Sequence, residues 1–207
     1  MSHTPFIAVE GPIGVGKTTL ASMLAKELKL PIVHEIVEEN PFIDKFYDNM
    51  ETWSFQLEMF FLCNRYKQLQ DTIQAYIYQG KPVISDYHIY KNLIFSERTL
   101  QGSEREKYRQ IYHILTDDFP SPNIIVYIKA DLNTLLSRIA KRNRSFEQDM
   151  DHQYLLQLIE DYETAMNSLA QHGPSIHILT IDGNSVDFVE NSQHFEHIAS
   201  QVKELMS

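Results

Sequence analysis

Five short apolar segments recur along the chain, and longer segments with helical periodicity separate them. Their short length and their β-branched residues are typical of buried strands rather than of helices. The predicted strands cover residues 6–10, 31–34, 81–85, 123–129 and 176–181.

The segments between these strands carry apolar residues three or four positions apart. In the first of them Leu20, Leu24 and Leu28 recur at this spacing and form one apolar stripe along a helix. Two long gaps, residues 41–80 and 87–122, are interpreted mainly as helical insertions rather than loops. The predicted helices cover residues 17–28, 52–79, 103–116, 131–141, 151–171 and 193–206.

Strands that alternate with helices predict an α/β fold built on a five-stranded parallel sheet. Right-handed crossovers between parallel strands place helices on both faces of such a sheet. The chain contains no internal repeat, no low-complexity segment and no linker rich in Gly, Pro or Ser. We therefore expect residues 1–207 to form a single domain.

Composition and charge narrow the classes of partner. Hydrophobic residues make up 43% of the chain and charged residues 22%, as in an ordinary globular protein. The formal net charge of -10 argues against a nucleic-acid partner, which needs a broad basic surface, but not against a small phosphorylated ligand. The single cysteine excludes an intrachain disulfide, and we find neither a signal-peptide pattern nor an apolar run of about 20 residues. The sequence thus predicts a cytoplasmic protein without a membrane segment.

The segment G-P-I-G-V-G-K-T at residues 11–18 matches the phosphate-binding pattern G-x-x-x-x-G-K-[ST]. A predicted strand precedes it and a predicted helix follows, which is the context that a phosphate-binding loop needs; the alternative is a glycine-rich turn. In such a loop Lys17 reaches the β- and γ-phosphates of ATP, and the Thr18 hydroxyl binds Mg²⁺. The predicted ATP-binding residues are Gly11, Pro12, Ile13, Gly14, Val15, Gly16, Lys17, Thr18 and Thr19.

Two carboxylates follow predicted strands. Glu35 ends the second strand and Asp86 ends the third, where the carboxyl ends of parallel strands open onto a ligand crevice. One such acid can take the proton of an attacking hydroxyl while the other holds a metal-bound water. The alternative is that both are solvated acids at strand ends.

Six motifs together make the chain resemble the deoxynucleoside kinase family, and within it the bacterial deoxyguanosine kinases. The resemblance covers nearly the whole chain, and its W-S-F and arginine-rich motifs are specific to the family, whereas the phosphate-binding loop is not. The motifs are E-G-P-I-G-V-G-K-T-T at 10–19, H-E-I-V-E-E-N-P at 34–41, K-F-Y-D-N at 45–49, W-S-F-Q-L-E-M-F-F-L-C-N-R-Y-K at 53–67, D-Y-H-I-Y-K-N at 86–92 and R-I-A-K-R-N-R-S-F-E at 138–147.

The resemblance implies a P-loop kinase fold with an arginine-rich lid and ATP-dependent phosphorylation of the 5′-hydroxyl of a purine deoxyribonucleoside. It implies that Glu35 is the catalytic base and that Tyr47 and the lid residue Glu147 contact the sugar 3′-hydroxyl. It also implies that lid arginines neutralise charge on the transferring phosphoryl group. Without the resemblance, the same basic cluster reads as a solvated helix end. The lid arginines are Arg138, Arg142 and Arg144.

Glu58 stands where the family usually carries glutamine, and Arg65 follows seven residues later. A carboxylate offers acceptors only, and guanine presents two neighbouring donors, so Glu58 is a candidate reader of guanine. Arg65 is the candidate donor to guanine O6 or N7. The alternative is that Glu58 pairs with Arg65 or faces solvent.

Several further assignments depend on weaker signals. The family arginine is replaced by Tyr87, so its contact with the 5′-oxygen must fall to Tyr87 in a reduced role or to another cation. Asn92 is a candidate for the purine edge and Phe55 for stacking on the base, although such aromatic residues more often lie in a core. Asp187 and Phe188, after the last strand, are candidates for the ATP adenine or for a plain turn.

Other functions remain open at this point. They are a deoxyadenosine or deoxycytidine kinase of the same family, a nucleoside monophosphate kinase, and a nucleotide-dependent switch. The acids around Glu35 disfavour an acceptor phosphate, and no N-K-x-D-like motif supports a guanine-nucleotide switch. The resemblance also implies a homodimer formed by the long helices.

Overall fold

The computed structural model describes residues 4–37, 40–144, 150–172 and 176–206. It contains a five-stranded sheet in which all neighbouring strands are parallel, in the order β2-β3-β1-β4-β5. The predicted α/β fold with a parallel five-stranded sheet is confirmed. The strands are β1 (Phe6–Glu10), β2 (Ile32–Val33), β3 (Val83–Ser85), β4 (Ile124–Lys129) and β5 (His177–Asp182).

The helices also follow the predicted pattern, with two additions. Predicted helix 52–79 ends at Ala75 and continues as a short 3-10 turn over Ile77–Gln79. Two shorter helices, α2 and α4, lie inside the gaps interpreted as helical insertions. The helices are α1 (Lys17–Leu28), α2 (Ile43–Asp48), α3 (Met50–Ala75), α4 (Lys91–Thr99), α5 (Gly102–Thr116), α6 (Leu132–Arg142), α7 (His152–His172) and α8 (Ser192–Leu205).

The sheet is covered on both faces because successive strand residues point in opposite directions. In β4, Ile124 and Val126 pack in one apolar cluster with Leu24 of α1. The alternating residue Ile125 packs instead with Tyr162 of α7. Helices therefore lie on opposite faces of the sheet, and the carboxyl ends of the strands share one edge.

Over the part of the chain that the structure describes, no helix combines the length and the apolar character needed to cross a bilayer.

Candidate active site

A cavity of about 730 Å³ opens at the carboxyl ends of the strands. Its walls come from the glycine-rich loop and the start of α1, from the segments that follow β2 and β3, and from helices α2 to α4. The end of α6, one residue of α7 and the segment after β5 complete them. This volume lies within the range of about 300–1,000 Å³ that is usual for small-molecule sites. The position is the one expected for a ligand in a parallel α/β fold.

The glycine-rich loop forms the phosphate end of the cavity. Gly14 and Gly16 have φ angles of 81° and 104°, which side chains rarely adopt, and Gly16 precedes the first turn of α1. The Lys17 ammonium donates to the carbonyl oxygens of Gly11 and Pro12 at 2.7 and 3.0 Å. Thr18 lies at the start of α1, exposed to the cavity. The arrangement can cradle a triphosphate with backbone N–H groups and one ammonium.

Burial and several neighbouring charges shift the pKa of the Lys17 ammonium. Burial lowers the pKa of its ammonium to about 8, and the positive charge of Lys91 acts in the same direction. The negative charges of Glu10 and Glu35 oppose this shift. An anionic phosphate at the loop would add to the effect of the two acids and favour the charged form of Lys17.

Glu35 lines the same cavity as the glycine-rich loop, and its role as the base remains a prediction. Its Oε1 accepts from Arg65 Nε at 2.8 Å and from Lys91 Nζ at 3.0 Å, and its Oε2 accepts from Lys91 Nζ at 2.8 Å. Its side chain is only 10% exposed, so these are ion pairs in a largely dry environment. Burial favours the protonated acid, but Lys91 and Arg65 outweigh it and hold the pKa of Glu35 below its usual range.

Asp86 fixes the backbone that carries Glu35. Its Oδ1 accepts the Glu35 backbone N–H at 2.7 Å, and its Oδ2 lies 3.1 Å from His34 Nδ1. Asp86 is buried yet lines the cavity. The two strand-end acids of the sequence analysis therefore meet, and one positions the other.

Glu58 is buried in the wall of the cavity and is 1% exposed. Its Oε1 accepts from the Thr99 hydroxyl at 2.9 Å. Burial raises the pKa of Glu58 to about 7, although Arg65 and the Thr99 hydrogen bond oppose that shift. The alternative of a solvent-facing Glu58 is wrong. Its proposed role in reading the base remains a prediction.

Arg65 lines the cavity, and its guanidinium donates hydrogen bonds to two other side chains. Besides Glu35, it donates through Nη1 to Asn92 Oδ1 at 2.9 Å, and its guanidinium carbon lies 4.4 Å from the centroid of the Phe61 ring. Asn92 in turn donates to the Tyr108 hydroxyl at 2.7 Å and is fully buried. Asn92 thus supports Arg65 from behind, and the cavity walls do not include it. This corrects the assignment of Asn92 to the purine edge.

Two other candidates also lie away from the cavity. Tyr87 is buried, its hydroxyl donates to Gln68 Oε1 at 2.9 Å, and it does not line the cavity, which argues against its assignment to the substrate. Phe55 packs against the apolar cluster that contains Leu62 and Leu69, on a face of α3 different from that of Glu58. Tyr47 of α2 lines the cavity, and its contact with the sugar 3′-hydroxyl remains a prediction.

The arginines after β4 divide into two kinds. Arg138 lines the cavity but donates to the carbonyl oxygens of Val15 and Gly183, each at 2.8 Å, so it ties the phosphate loop to the turn after β5. Arg142 and Arg144 also line the cavity. Their roles at a phosphoryl group remain predictions, and Glu147 lies outside the described residues.

The turn after β5 completes the phosphate end of the cavity. Phe188 is buried, and a Cβ added to Gly16 would meet its ring at 3.2 Å. The Asp187 carboxylate accepts the backbone N–H groups of Glu190 and Val189, and these bonds lower its pKa. Both predicted residues line the cavity, and Asp187 also stabilises the turn.

Magnesium has compatible donors here, although the chain offers few. Among the described residues, no group of three or more His, Cys, Asp or Glu side chains could hold a metal ion by itself. Thr18 and Asp86, the predicted metal residues, both line the cavity. Such a sparse set suits Mg²⁺ bound mainly by phosphate oxygens and water.

Sequence reasoning missed two buried charges at this site. Lys91 contacts both oxygens of Glu35, and Glu10 accepts the His88 backbone N–H at 2.5 Å directly below the phosphate loop. Lysine and glutamate are usually exposed, and no periodicity marks these two as buried. The only available signal was their place inside the D-Y-H-I-Y-K-N and E-G-P-I-G motifs.

Comparison with known proteins finds similarity to one family of enzymes over nearly the full chain. The family model described as "Deoxynucleoside kinase" matches residues 7–207. The deoxyguanosine kinase of Bacillus subtilis (strain 168) is 60% identical over 206 residues, with 100% of both chains covered. The deoxyadenosine/deoxycytidine kinase of the same organism is 28% identical over 207 residues, covering 97% of this chain and 94% of that protein.

A solved structure agrees with the fold. The deoxyadenosine kinase from M. mycoides with bound dATP superposes with a TM-score of 0.82 at 24% identity, covering 96% of this chain and 99% of that one. The strand order, the phosphate loop beside Glu35, and the match over residues 7–207 lead to one conclusion. This chain belongs to the deoxynucleoside kinase family.

Proposed function

We propose that this kinase transfers the γ-phosphate of ATP to the 5′-hydroxyl of deoxyguanosine. The observation that carries the proposal is the placement of the ionised Glu35 carboxylate and the glycine-rich loop in one cavity. A base and a phosphate cradle facing each other suit transfer to a neutral alcohol. The choice of deoxyguanosine is supported by the 60% identity to a deoxyguanosine kinase.

The reaction needs one proton acceptor and a path for the phosphoryl group. The 5′-hydroxyl O–H bond breaks and its proton goes to Glu35, while the 5′-oxygen forms a bond to the γ-phosphorus. The bond between that phosphorus and the β,γ-bridging oxygen breaks, and ADP leaves. The transition state of such transfers is loose, so the proton moves late and a weak carboxylate base suffices.

Electrostatic stabilisation supplies most of the remaining catalysis. Lys17 holds the β- and γ-phosphates, while Arg142 and Arg144 line the cavity where they can face the transferring group. Thr18 and Asp86 are the residues proposed to hold Mg²⁺, which would neutralise part of the charge of the triphosphate. Arg138 was predicted to neutralise the phosphoryl group together with these two arginines, but its guanidinium donates to the loop carbonyl of Val15, so we assign it the indirect role of holding the loop in place.

Sugar and base are read on the other side of Glu35. Tyr47 lines the cavity and is proposed to contact the 3′-hydroxyl together with Glu147. Glu58 is proposed to accept from guanine N1–H and the N2 amine, because two acceptor oxygens match two neighbouring donors. Arg65 holds Glu35 through its Nε and is proposed to donate to guanine O6 or N7 as well.

We further propose that residues 1–207 work as one kinase domain, in a homodimer, in the cytoplasm. Two large apolar side chains that are exposed to solvent support a dimer interface near α3 and α5. They are Ile114 on α5, which is 80% exposed, and Tyr78 after α3, which is 62% exposed.

A panel of nucleosides with coupled ADP detection tests the proposal. We expect kcat/KM for deoxyguanosine to exceed that for deoxyadenosine and deoxycytidine by at least about 10²-fold, because unpaired buried polar groups penalise the wrong base. Guanosine serves as the sugar control and deoxyguanosine monophosphate as the control for an acceptor phosphate. Faster turnover of deoxyadenosine or deoxycytidine would assign the chain to another specificity, and turnover of no nucleoside would reject the proposal.

A further inference from the structure

Lys91 lies in the D-Y-H-I-Y-K-N motif and lines the cavity, but the family resemblance assigns it no role. It is the first residue of α4 and is 5% exposed. A lysine is almost never this deeply buried unless its ammonium is paired, because an unpaired buried charge is costly. Its Nζ contacts both oxygens of Glu35, at 3.0 and 2.8 Å. The ion pair between Lys91 and Glu35 thus compensates the cost of burying the ammonium in the cavity wall.

The two oxygens of Glu35 differ in what they accept. Oε1 accepts from Arg65 Nε and Nη2 and from Lys91, which fills its lone-pair directions. Within the described residues, Oε2 accepts from Lys91 alone. Oε2 thus retains capacity for one more donor, and the incoming 5′-hydroxyl is such a donor.

A second line of support comes from Tyr87. The sequence left open which cation acts in place of the arginine that the family resemblance implies at that position. The Tyr87 phenol carries no positive charge, and its hydroxyl donates to Gln68 Oε1, so it cannot act as that cation. Lys91, four residues later, brings a positive charge to within 3 Å of the carboxylate.

Charged and titratable groups face Lys91 from most surrounding elements. Its positive charge favours the ionised form of nearby acids and disfavours the charged form of a nearby lysine. Its ammonium also lies 5.5 Å from the centroid of the Phe95 ring. The groups on which it acts are Glu10 at the end of β1, Lys17 of α1, Glu35 after β2, and Glu58 of α3.

We infer that Lys91 is a positioning residue for phosphoryl transfer, which orients Glu35 so that Oε2 receives the proton of the acceptor hydroxyl. The inference rests on the proposed function, since it takes Glu35 as the base. The ammonium contributes no bond to the nucleoside in this account and takes no proton. It holds the carboxylate in the orientation that accepts the proton as the O–H bond breaks.

Kinetics of Lys91→Met test the inference, with Lys67→Met as matched control. Lys67 is exposed on α3, pairs with Asp71 on the same helix and does not line the cavity, so we expect its loss to leave kcat unchanged. For Lys91→Met we expect kcat to fall about 10²-fold, as for loss of one preorganised charged donor, with KM for ATP nearly unchanged. Lys91→Gln, which keeps a donor without the charge, guards against a folding failure of the methionine variant.

Chemical rescue separates positioning from mere structural support. Lys91→Ala leaves space for a small primary amine, so propylamine is expected to restore a large part of its kcat but none of the activity of Glu35→Gln. The double variant Lys91→Met/Glu35→Gln should be no slower than Glu35→Gln alone, because residues that act together are not additive.

Three results would overturn the inference. The first is a kcat for Lys91→Met within about twofold of the wild type, because loss of a charged donor should cost far more. The second is that propylamine restores no activity to Lys91→Ala. The third is that the losses of the two single variants add up in the double variant. Full activity of Glu35→Gln alone is a different outcome, because it would reject the proposed base itself.

Discussion

At the scale of single residues, two buried carboxyls of one cavity have opposite protonation behaviour. Glu35 contacts two cations, which outweigh burial and lower its pKa, so it is ionised at neutral pH. Glu58 receives one hydroxyl hydrogen bond, and burial raises its pKa to about 7. The surroundings of each side chain therefore keep Glu35 ionised, whereas Glu58 gains or loses a proton near neutral pH.

The first residue-scale prediction concerns base preference. Glu58→Gln replaces two acceptors by one donor and one acceptor, a pattern that suits adenine rather than guanine. We expect the ratio of kcat/KM for deoxyguanosine over deoxyadenosine to fall by about 10²-fold or more, since a mismatched buried polar group is strongly penalised. Glu51→Gln, on the exposed start of α3, is the control. An unchanged ratio would remove Glu58 from base recognition.

The second residue-scale prediction concerns pH. In the proposed role Glu58 binds guanine in its ionised form. The pKa of Glu58 is raised to about 7, so its protonated fraction grows as pH falls from 8 to 6. We therefore expect KM for deoxyguanosine to rise below pH 7, approaching about tenfold per pH unit at the acid end of the range. In Glu58→Gln this dependence should be absent. A KM that is equally flat in both proteins would contradict the assignment.

At the scale of elements, Arg138 of α6 connects parts of the chain that are far apart in sequence. Its guanidinium donates to Val15 in the phosphate loop and to Gly183 after β5. Phe188 packs next to Gly16 from the same turn. The loop is thus held in shape by α6 and by the β5–α8 turn, rather than by its glycines alone.

Arg138→Met should therefore weaken the phosphate site selectively. Hydrogen bonds from a charged donor contribute about 1.5–3 kcal/mol each when buried, and Arg138 is partly exposed, so we expect KM for ATP to rise about tenfold. KM for the nucleoside should change little, because the contacts of Glu35 are intact. Arg109→Met, which breaks an ion pair with Glu97 on the surface, serves as control. Equal effects on both substrates would show that Arg138 supports the whole domain instead.

The sequence predicts elements well where apolar residues carry the signal. Strand β4 and helix α1 were placed to within one residue, because their buried faces are apolar. Helix α4 was not identified individually, since its buried face includes the polar residues Lys91, Asn92 and Ser96. Their partners lie elsewhere in the chain, so local periodicity could not show that they are buried.

The same limit applies to the site. Motifs located Glu35, Glu58 and the phosphate loop, all of which line the cavity. They did not show that Arg65 is held between Glu35 and Asn92, because a side chain's choice among partners is decided only in three dimensions.

At the scale of the molecule, positive charge is concentrated where the phosphates bind. The chain carries a formal net charge of -10, yet cations line the cavity. Local cations in a cleft can attract a triphosphate even on an acidic protein, because the field is focused there. The cations that line the cavity are Lys17, Arg65, Lys91, Arg138, Lys141, Arg142 and Arg144.

The homodimer prediction also belongs to this scale. If the helical side around α5 forms the interface, burying a lysine in place of Ile114 should weaken it, because an unpaired charge is costly to bury. We expect the wild type to sediment as a dimer at micromolar concentration and Ile114→Lys to shift towards the monomer. Glu104→Lys, at the start of the same helix, controls for the change in charge. A wild type that sediments as a monomer would contradict the prediction.

The most direct measurement is the single-turnover rate of phosphoryl transfer in Glu35→Gln. The amide keeps the size of the side chain but cannot take a proton, so the account predicts a rate lower by about 10²–10⁴-fold, the usual contribution of a general base. ATP binding should be preserved, because the glycine-rich loop is untouched. A Glu35→Gln protein that phosphorylates deoxyguanosine at the wild-type rate would contradict the account.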